Sequence, residues 1–133
     1  MPPAHPPLRF AVARHTGMPH AVEESEKIAA ALRRLGAASV IQASLHDEVM
    51  RHAVTEGEVD ALLSLGGDGT ILRAAHLCAA VGVPILGINL GRFGFLTEIH
   101  DLKWQEVLPG LCSGAYRLEE RMMLRAEQVR GGK

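Results

Sequence analysis

The chain has 133 residues, 47% of them hydrophobic, which is enough for one domain with an ordinary core. Its 14 Lys and Arg against 15 Asp and Glu give a formal charge of −1, which excludes a broad positive field for nucleic acid or anionic lipid and leaves small molecules and proteins as partners. Cys78 and Cys112 have neither metal-ligand nor C-x-x-C spacing, the start has no apolar signal region, and no run approaches the roughly 18 apolar residues of a membrane span, so buried free thiols and a cytoplasmic location are expected.

Leu8 to Ala13, apolar but for Arg9 and bounded by prolines and by His15-Thr16-Gly17, predicts a first strand. From Ala21, the positions Val22, Ser25, Ile28, Ala29, Leu32 and Leu35 recur at helical spacing. Acids come early, bases late, and Gly36 supplies the stop. Ala38 to Ala43 reads as a second strand, Leu45 to Thr55 as a weak polar helix, and Val59 to Leu65 as a strand covered on both faces. Thr70 to Val81, ended by Gly82, predicts a helix, and Pro84 to Ile88 a fourth strand. Asp101 to Ser113 predicts a last helix with Asp101 as a possible cap, shortened or bent at Pro109-Gly110.

Strand and helix therefore alternate, which predicts an α/β fold with an open, mostly parallel sheet and flanking helices. The pattern changes after residue 115. In Leu118 to Val129, apolar and charged residues alternate with period two except at Met123 and Val129, which predicts a strand, and Gly131-Gly132-Lys133 is a turn with no second strand after it. A fragment or truncated product is expected on that ground, with a boundary near Tyr116.

The informative stretch is Leu62 to Arg73, an apolar strand entering Gly66-Gly67-Asp68-Gly69-Thr70 and then a helix. Open α/β sheets bind ligands at the carboxyl ends of their strands. Glycines 66, 67 and 69 let main-chain N–H groups approach phosphate oxygens at the helix start, with no lysine required. Neither a Walker A loop nor Gly-x-Gly-x-x-Gly is present, the latter because Leu72 occupies the third glycine position. An acid between glycines would repel phosphate unless it bound a metal or accepted a proton from an attacking hydroxyl, which makes Asp68 the catalytic candidate. The plainer alternative is a tight turn in which Asp68 caps the helix.

A second turn, Gly87 to Leu96, follows the next strand on the same edge, so the two turns make a cleft. Asn89 could bond a ribose or phosphate and Arg92 could neutralise a phosphate, against the readings of an Asn bonded to its own backbone and a solvated Arg. Arg73 lies one turn into the helix, within reach of a ligand at its start, with a surface salt bridge as the alternative. The seven histidines, at 5, 15, 20, 46, 52, 76 and 100, show no zinc spacing, and His76 reads as packing or surface, so no structural metal is expected.

Gly66-Gly67-Asp68-Gly69-Thr70, Pro84-Ile85-Leu86-Gly87-Ile88-Asn89-Leu90-Gly91 and Gly94-Phe95-Leu96-Thr97-Glu98, in that order, resemble the NAD kinase (ATP-NAD kinase) family, and Glu120 to Leu124 resembles its passage into a second domain. Diacylglycerol and sphingosine kinases and phosphofructokinases share related first turns, but the ordered set of three is much more specific. The resemblance runs from about 62 to 124. It implies a Rossmann-like, phosphofructokinase-like nucleotide-binding domain over 1–115 and, over 116–133, the first strand of a truncated β-rich domain.

The resemblance further implies phosphorylation of the 2′-hydroxyl of NAD to give NADP, with ATP, another triphosphate or polyphosphate as donor. Asp68 would be the proton acceptor, Asp68 and Gly69 would touch NAD, Arg73 would be a basic binding position, and Gly66, Gly67 and Thr70 would form the turn that supports phosphates. Asn89 would be a further contact. A divalent cation such as Mg²⁺ would bridge the donor phosphates, and the full-length family implies a homo-oligomer built largely through its second domain. Family members continue into an Asn-Glu pair and a Thr/Gly/Ser-rich segment that complete the NAD site, so this chain alone is expected to be inactive. Two alternatives remain at this point. One is a lipid kinase of the diacylglycerol kinase type, which should carry a membrane-facing surface that this sequence lacks. The other is a non-catalytic nucleotide-binding module.

Overall fold

The computed structural model describes residues 8–90, 96, 99–100, 103–124 and 126–131. Five strands form one parallel sheet: β1 (Arg9–Arg14), β2 (Ser39–Ser44), β3 (Ala61–Gly66), β4 (Ile85–Asn89) and the two-residue β5 (Ile99–His100). Their order is β2-β1-β3-β4-β5, so the chain steps to opposite sides of β1 and the order reverses between β1 and β3. The crossover helices are α1 (Pro19–Arg34), α2 (Glu48–Thr55) and α3 (Asp68–Cys78), with α4 (Trp104–Ser113) after β5.

Parity along the strands divides the core. Phe10, Val12, Leu63, Leu65 and Ile88 pack toward α1 and α4, with Ile28, Leu32 and Leu108. Ala11, Ala13 and Leu62 face the other way, against α2 and α3, with Met50, Val54, Ala74 and Cys78. Every residue of β3 is buried, which explains its continuous apolar sequence. Two polar ties join neighbouring elements: Trp104 Nε1–H donates to Glu24 Oε2 across α4 and α1 (3.0 Å), and Arg9 at the start of β1 grips Asp60, just before β3, through its backbone N–H, Nε and Nη2 at 2.7, 3.1 and 2.9 Å.

Several boundaries differ from the sequence expectation. Helix α1 starts at Pro19, where a proline's missing N–H is harmless, and so has no acid in its first turn, although Arg33 and Arg34 do occupy the last. Val22 and Leu35 are exposed, and Ala21 and Ala31 are buried instead. Helix α2 begins only at Glu48 because Asp47 caps it, its carboxylate accepting the Val49 N–H at 2.9 Å. Pro109 neither shortens nor ends α4, which runs to Ser113 and stops at Gly114 with φ +81°. The expected cap Asp101 lies outside the described residues, and the residue before the helix is Lys103. Cys78 is buried as expected, but Cys112 is only half-buried.

The strand expected over 118–129 does not form among the described residues. Leu118, Met122 and Leu124 are 62%, 87% and 89% exposed, so its period-two apolar face meets no sheet. A strand needs a neighbour for its N–H and C=O groups, and alternation in the sequence cannot provide one. No helix among the described residues is long and apolar enough to cross a membrane.

Candidate functional site

The ends of β1, β3 and β4 converge on the glycine turn. His15 N–H, just past β1, donates to Leu65 C=O (2.9 Å), and Leu90 N–H, just past β4, donates to Gly66 C=O (3.1 Å). The last carbonyls of β3 are thus taken by its two neighbours. The chain then turns directly into α3, with Gly67 as N-cap in extended conformation and Asp68 as first helical residue. The earliest N–H groups of a helix have no intrahelical acceptor, so this end of α3 presents donors and a partial positive charge outward.

The three glycines serve different ends. At Gly66, φ is +158°, and a Cβ would collide with Thr70 Oγ1 and lie 2.9 Å from Thr70 Cβ and 3.3 Å from His15 Cβ. The fold itself therefore demands Gly66. At Gly67 and Gly69 a Cβ would meet nothing within 4 Å, and neither residue has a positive φ.

Asp68 is half-buried, and its Oδ1 accepts the Leu96 N–H at 2.9 Å, across 28 residues of sequence. The N-cap is Gly67 and not Asp68, whose carboxylate reaches the second turn. Among the described residues no group of three or more His, Cys, Asp or Glu could hold a metal ion.

The other candidates fall on the same sheet edge. Asn89 ends β4, is 3% exposed, and stands in register with Gly66 on one side and His100 on the other. It is a strand residue and not a turn residue. Thr70 is buried on α3, its Oγ1 without a hydrogen-bond partner. Arg73, exposed and with no ion pair among the described residues, lines a small cleft with Arg14, His15, Thr16, His46 and Thr70. The sequence reading missed Arg14, His15 and His46. Their signal was position, since each follows or ends a predicted strand on the ligand-binding edge. Arg92 lies outside the described residues. His76 is exposed on α3.

A parallel α/β sheet with a glycine-acid-glycine turn at the C-terminal end of its central strand belongs to the class of open α/β domains that bind ligands at their strand ends. Residues 11–116 match the family described as ATP-NAD kinase N-terminal domain, and the chain belongs to the NAD kinase family. The lipid-kinase alternative gives way to that assignment.

Among its relatives, an NAD kinase of Moorella thermoacetica is 61% identical over 75 residues, which cover 54% of this chain and 24% of the relative. An NAD kinase of Symbiobacterium thermophilum is 39% identical over 130 residues, 93% of this chain and 46% of the relative. The chain thus spans less than half the length of either. A crystal structure of yeast NADH kinase complexed with NADH superposes with a TM-score of 0.62 at 19% identity, covering 83% of this chain and 37% of that one, a likeness of fold.

Proposed function

We propose that this chain is the nucleotide-binding part of an NAD kinase, in which the turn at 66–70 brings the phosphates of a triphosphate donor beside the adenosine ribose of NAD. The observation that carries the reading is Gly69. It sits exposed in the first turn of α3, where the fold gives glycine no steric reason, and alanine would favour the helix by about 1 kcal/mol. A bare backbone there makes sense if a ligand comes into van der Waals contact with it.

Asp68 then has a defined task. Its carboxylate accepts the proton of the 2′-hydroxyl as that oxygen attacks the terminal phosphorus. The bond from phosphorus to the bridging oxygen breaks, the diphosphate leaves, and the carboxyl later returns its proton to solvent. The Leu96 N–H on Oδ1 orients the group. The donor set fits a divalent cation held chiefly by the donor's own phosphates, with at most one carboxylate from this turn. Such a cation, Mg²⁺ in our reading, would neutralise phosphate charge.

The test is a chimera in which this chain replaces the matching part of the Symbiobacterium thermophilum relative, which it aligns with over 93% of its length. It should form NADP from NAD and ATP, and Asp68→Asn should lower kcat by roughly 10²–10⁴-fold while leaving NAD binding in place. A folded chimera without NADP formation refutes the kinase reading. Full activity of Asp68→Asn would refute Asp68 as the proton acceptor.

A further inference from the structure

The stretch of chain that carries Leu96 has few fastenings. Among the described residues it rejoins the sheet only as the two-residue β5, where Ile99 and His100 stand in register with Ile88 and Asn89, and it continues into α4. So short a strand contributes little holding force by itself. Helix α4 is also poorly fixed by its own sequence. No side-chain hydrogen bond caps its start at Lys103, and Pro109 in its middle has no N–H to give to the carbonyl one turn back. The position of α4, and of the chain leading into it, therefore depends on what α4 buries against the domain: Trp104, Leu108 and Leu111.

Trp104 is the member of that set nearest in sequence to Leu96. It is 5% exposed, and its Nε1–H donates to Glu24 Oε2 on α1 at 3.0 Å. Glu24 is itself held in place. Its side chain is 17% exposed, and Oε1 accepts from Lys27 Nζ at 3.3 Å. The neighbouring acids Glu23 and Glu26 are exposed, so Glu24 is the one of the three that gives up most of its water to serve this contact. An apolar pair would join two helices at least as well. What the polar pair adds is direction, because an indole N–H meets a carboxylate oxygen in one orientation of the ring. Ile99 of β5 packs against the apolar cluster that includes Trp104 and Ile88, so the ring and β5 share one seat.

At the other end of the same stretch the Leu96 N–H donates to Asp68 Oδ1 at 2.9 Å. We propose that Glu24 is a positioning residue: through Trp104 it holds β5 and the start of α4 so that the Leu96 N–H stays on the Asp68 carboxylate. The catalytic consequence rests on the kinase reading above, whereas the tether does not. Removal of the acceptor leaves a buried indole N–H unpaired. The ring regains a partner only by moving, and Ile99 and Leu96 move with it.

The test has one readout in this chain and one in the chimera. In the chain, amide hydrogen exchange is followed residue by residue by NMR. Glu24→Ala, and Trp104→Phe, which keeps an aromatic ring in the seat, should each speed exchange at Leu96 about fivefold or more. Glu24→Gln retains an acceptor oxygen and should change it less than about twofold. A merely structural tie would speed the core amides of β1 and β3, which exchange by global unfolding, and leave Leu96 where it was. In the chimera, Glu24→Ala and Trp104→Phe should lower kcat about fivefold or more with KM for ATP within about twofold, and Glu24→Gln should restore it. In the Asp68→Asn background Glu24→Ala should change kcat less than about twofold, because the carboxylate it positions is gone. Unaltered Leu96 exchange in folded Glu24→Ala and Trp104→Phe overturns the proposal, as does a kcat loss of equal size with and without Asp68. Faster Leu96 exchange in a chain whose chimera makes no NADP would sink the kinase reading and leave the tether standing.

Discussion

Gly66→Ala and Gly69→Ala should move stability in opposite directions although both lie in one five-residue turn. At Gly66 the new Cβ meets Thr70 Oγ1, Thr70 Cβ at 2.9 Å and His15 Cβ at 3.3 Å, with φ at +158°. Thr70 is buried and part of α3, and His15 is tied to Leu65 C=O, so neither can yield cheaply. Overpacking of this kind costs about 1–3 kcal/mol, and an unfavourable φ adds roughly 1 kcal/mol, for a total of about 2–4 kcal/mol. An unfolding entropy of about 2.1 cal/mol/K per residue gives roughly 0.28 kcal/mol/K for this chain, so the melting midpoint should fall by about 7–14 °C. Gly69→Ala, helical and open on its outer side, should instead gain up to about 1 kcal/mol and a few degrees. Thermal unfolding followed by circular dichroism, with urea titrations alongside, measures both. Equal loss in the two variants, or an undiminished midpoint for Gly66→Ala, would show that the packing argument is wrong. In the chimera Gly69→Ala should nevertheless weaken nucleotide binding, as expected where a stability gain opposes function.

The other expectations use the same protein. Leu96→Pro removes the N–H that orients Asp68, so in the chimera kcat should fall about tenfold or more with little change in KM for NAD; an unchanged kcat would separate Leu96 from catalysis. The Arg9 guanidinium, through its hydrogen bond above all, holds the Asp60 carboxyl below its ordinary 3.8, so its stabilisation is complete above that value and is lost as pH falls through the lower folded pKa. Asp60→Asn should flatten the acid limb of the stability profile, modestly because both side chains are part-exposed at 42% and 32%; an unaltered limb would rule the pair out as its source. Burial pushes the Cys78 thiol up from 9.0 to about 11, so its contribution is complete below pH 9 and is lost as pH rises toward 11, when the unfolded chain ionises first. Cys112 should react with iodoacetamide well before Cys78 in the native protein, and the reverse order would contradict the burial seen here.

The sequence made the alternation of strands and helices readable because parallel strands buried on both faces leave continuous apolar runs, such as Leu62 to Leu65, and crossover helices leave stripes, such as Ile28, Ala29 and Leu32. Helix starts were less readable. Pro19 and Asp47 fixed them through local chemistry that competes with periodicity. At 118–129 the alternation was plain, but a strand is a relation between segments, and among the described residues this one has no partner. For the site, residues adjacent in sequence, Gly66 to Arg73, were found at once, whereas Arg14, His15 and His46 join them only through strand order. No spacing rule in one sequence reports that β1 lies between β2 and β3.

That strand order also bears on how one short turn would serve the two ligands of the proposed reaction. β3 is central, with β1 on one side and β4 on the other, so Gly66 C=O and Leu65 C=O are bonded from opposite directions by Leu90 N–H and His15 N–H. The turn that leaves β3 is consequently flanked by two different walls, one cationic and one carrying Asn89 and the Leu96 amide. A carboxylate placed on the cationic wall would be neutralised by it, and one placed far from it could not meet a reacting phosphoryl group. Asp68, fastened by Leu96 on the β4 side yet on the first turn of the helix whose next turn carries Arg73, sits between these two conditions. An edge strand could not provide that position, because only one of its sides has a neighbour. The placement of the acid at the end of the central strand is therefore a consequence of the two-walled chemistry that the proposed phosphoryl transfer requires.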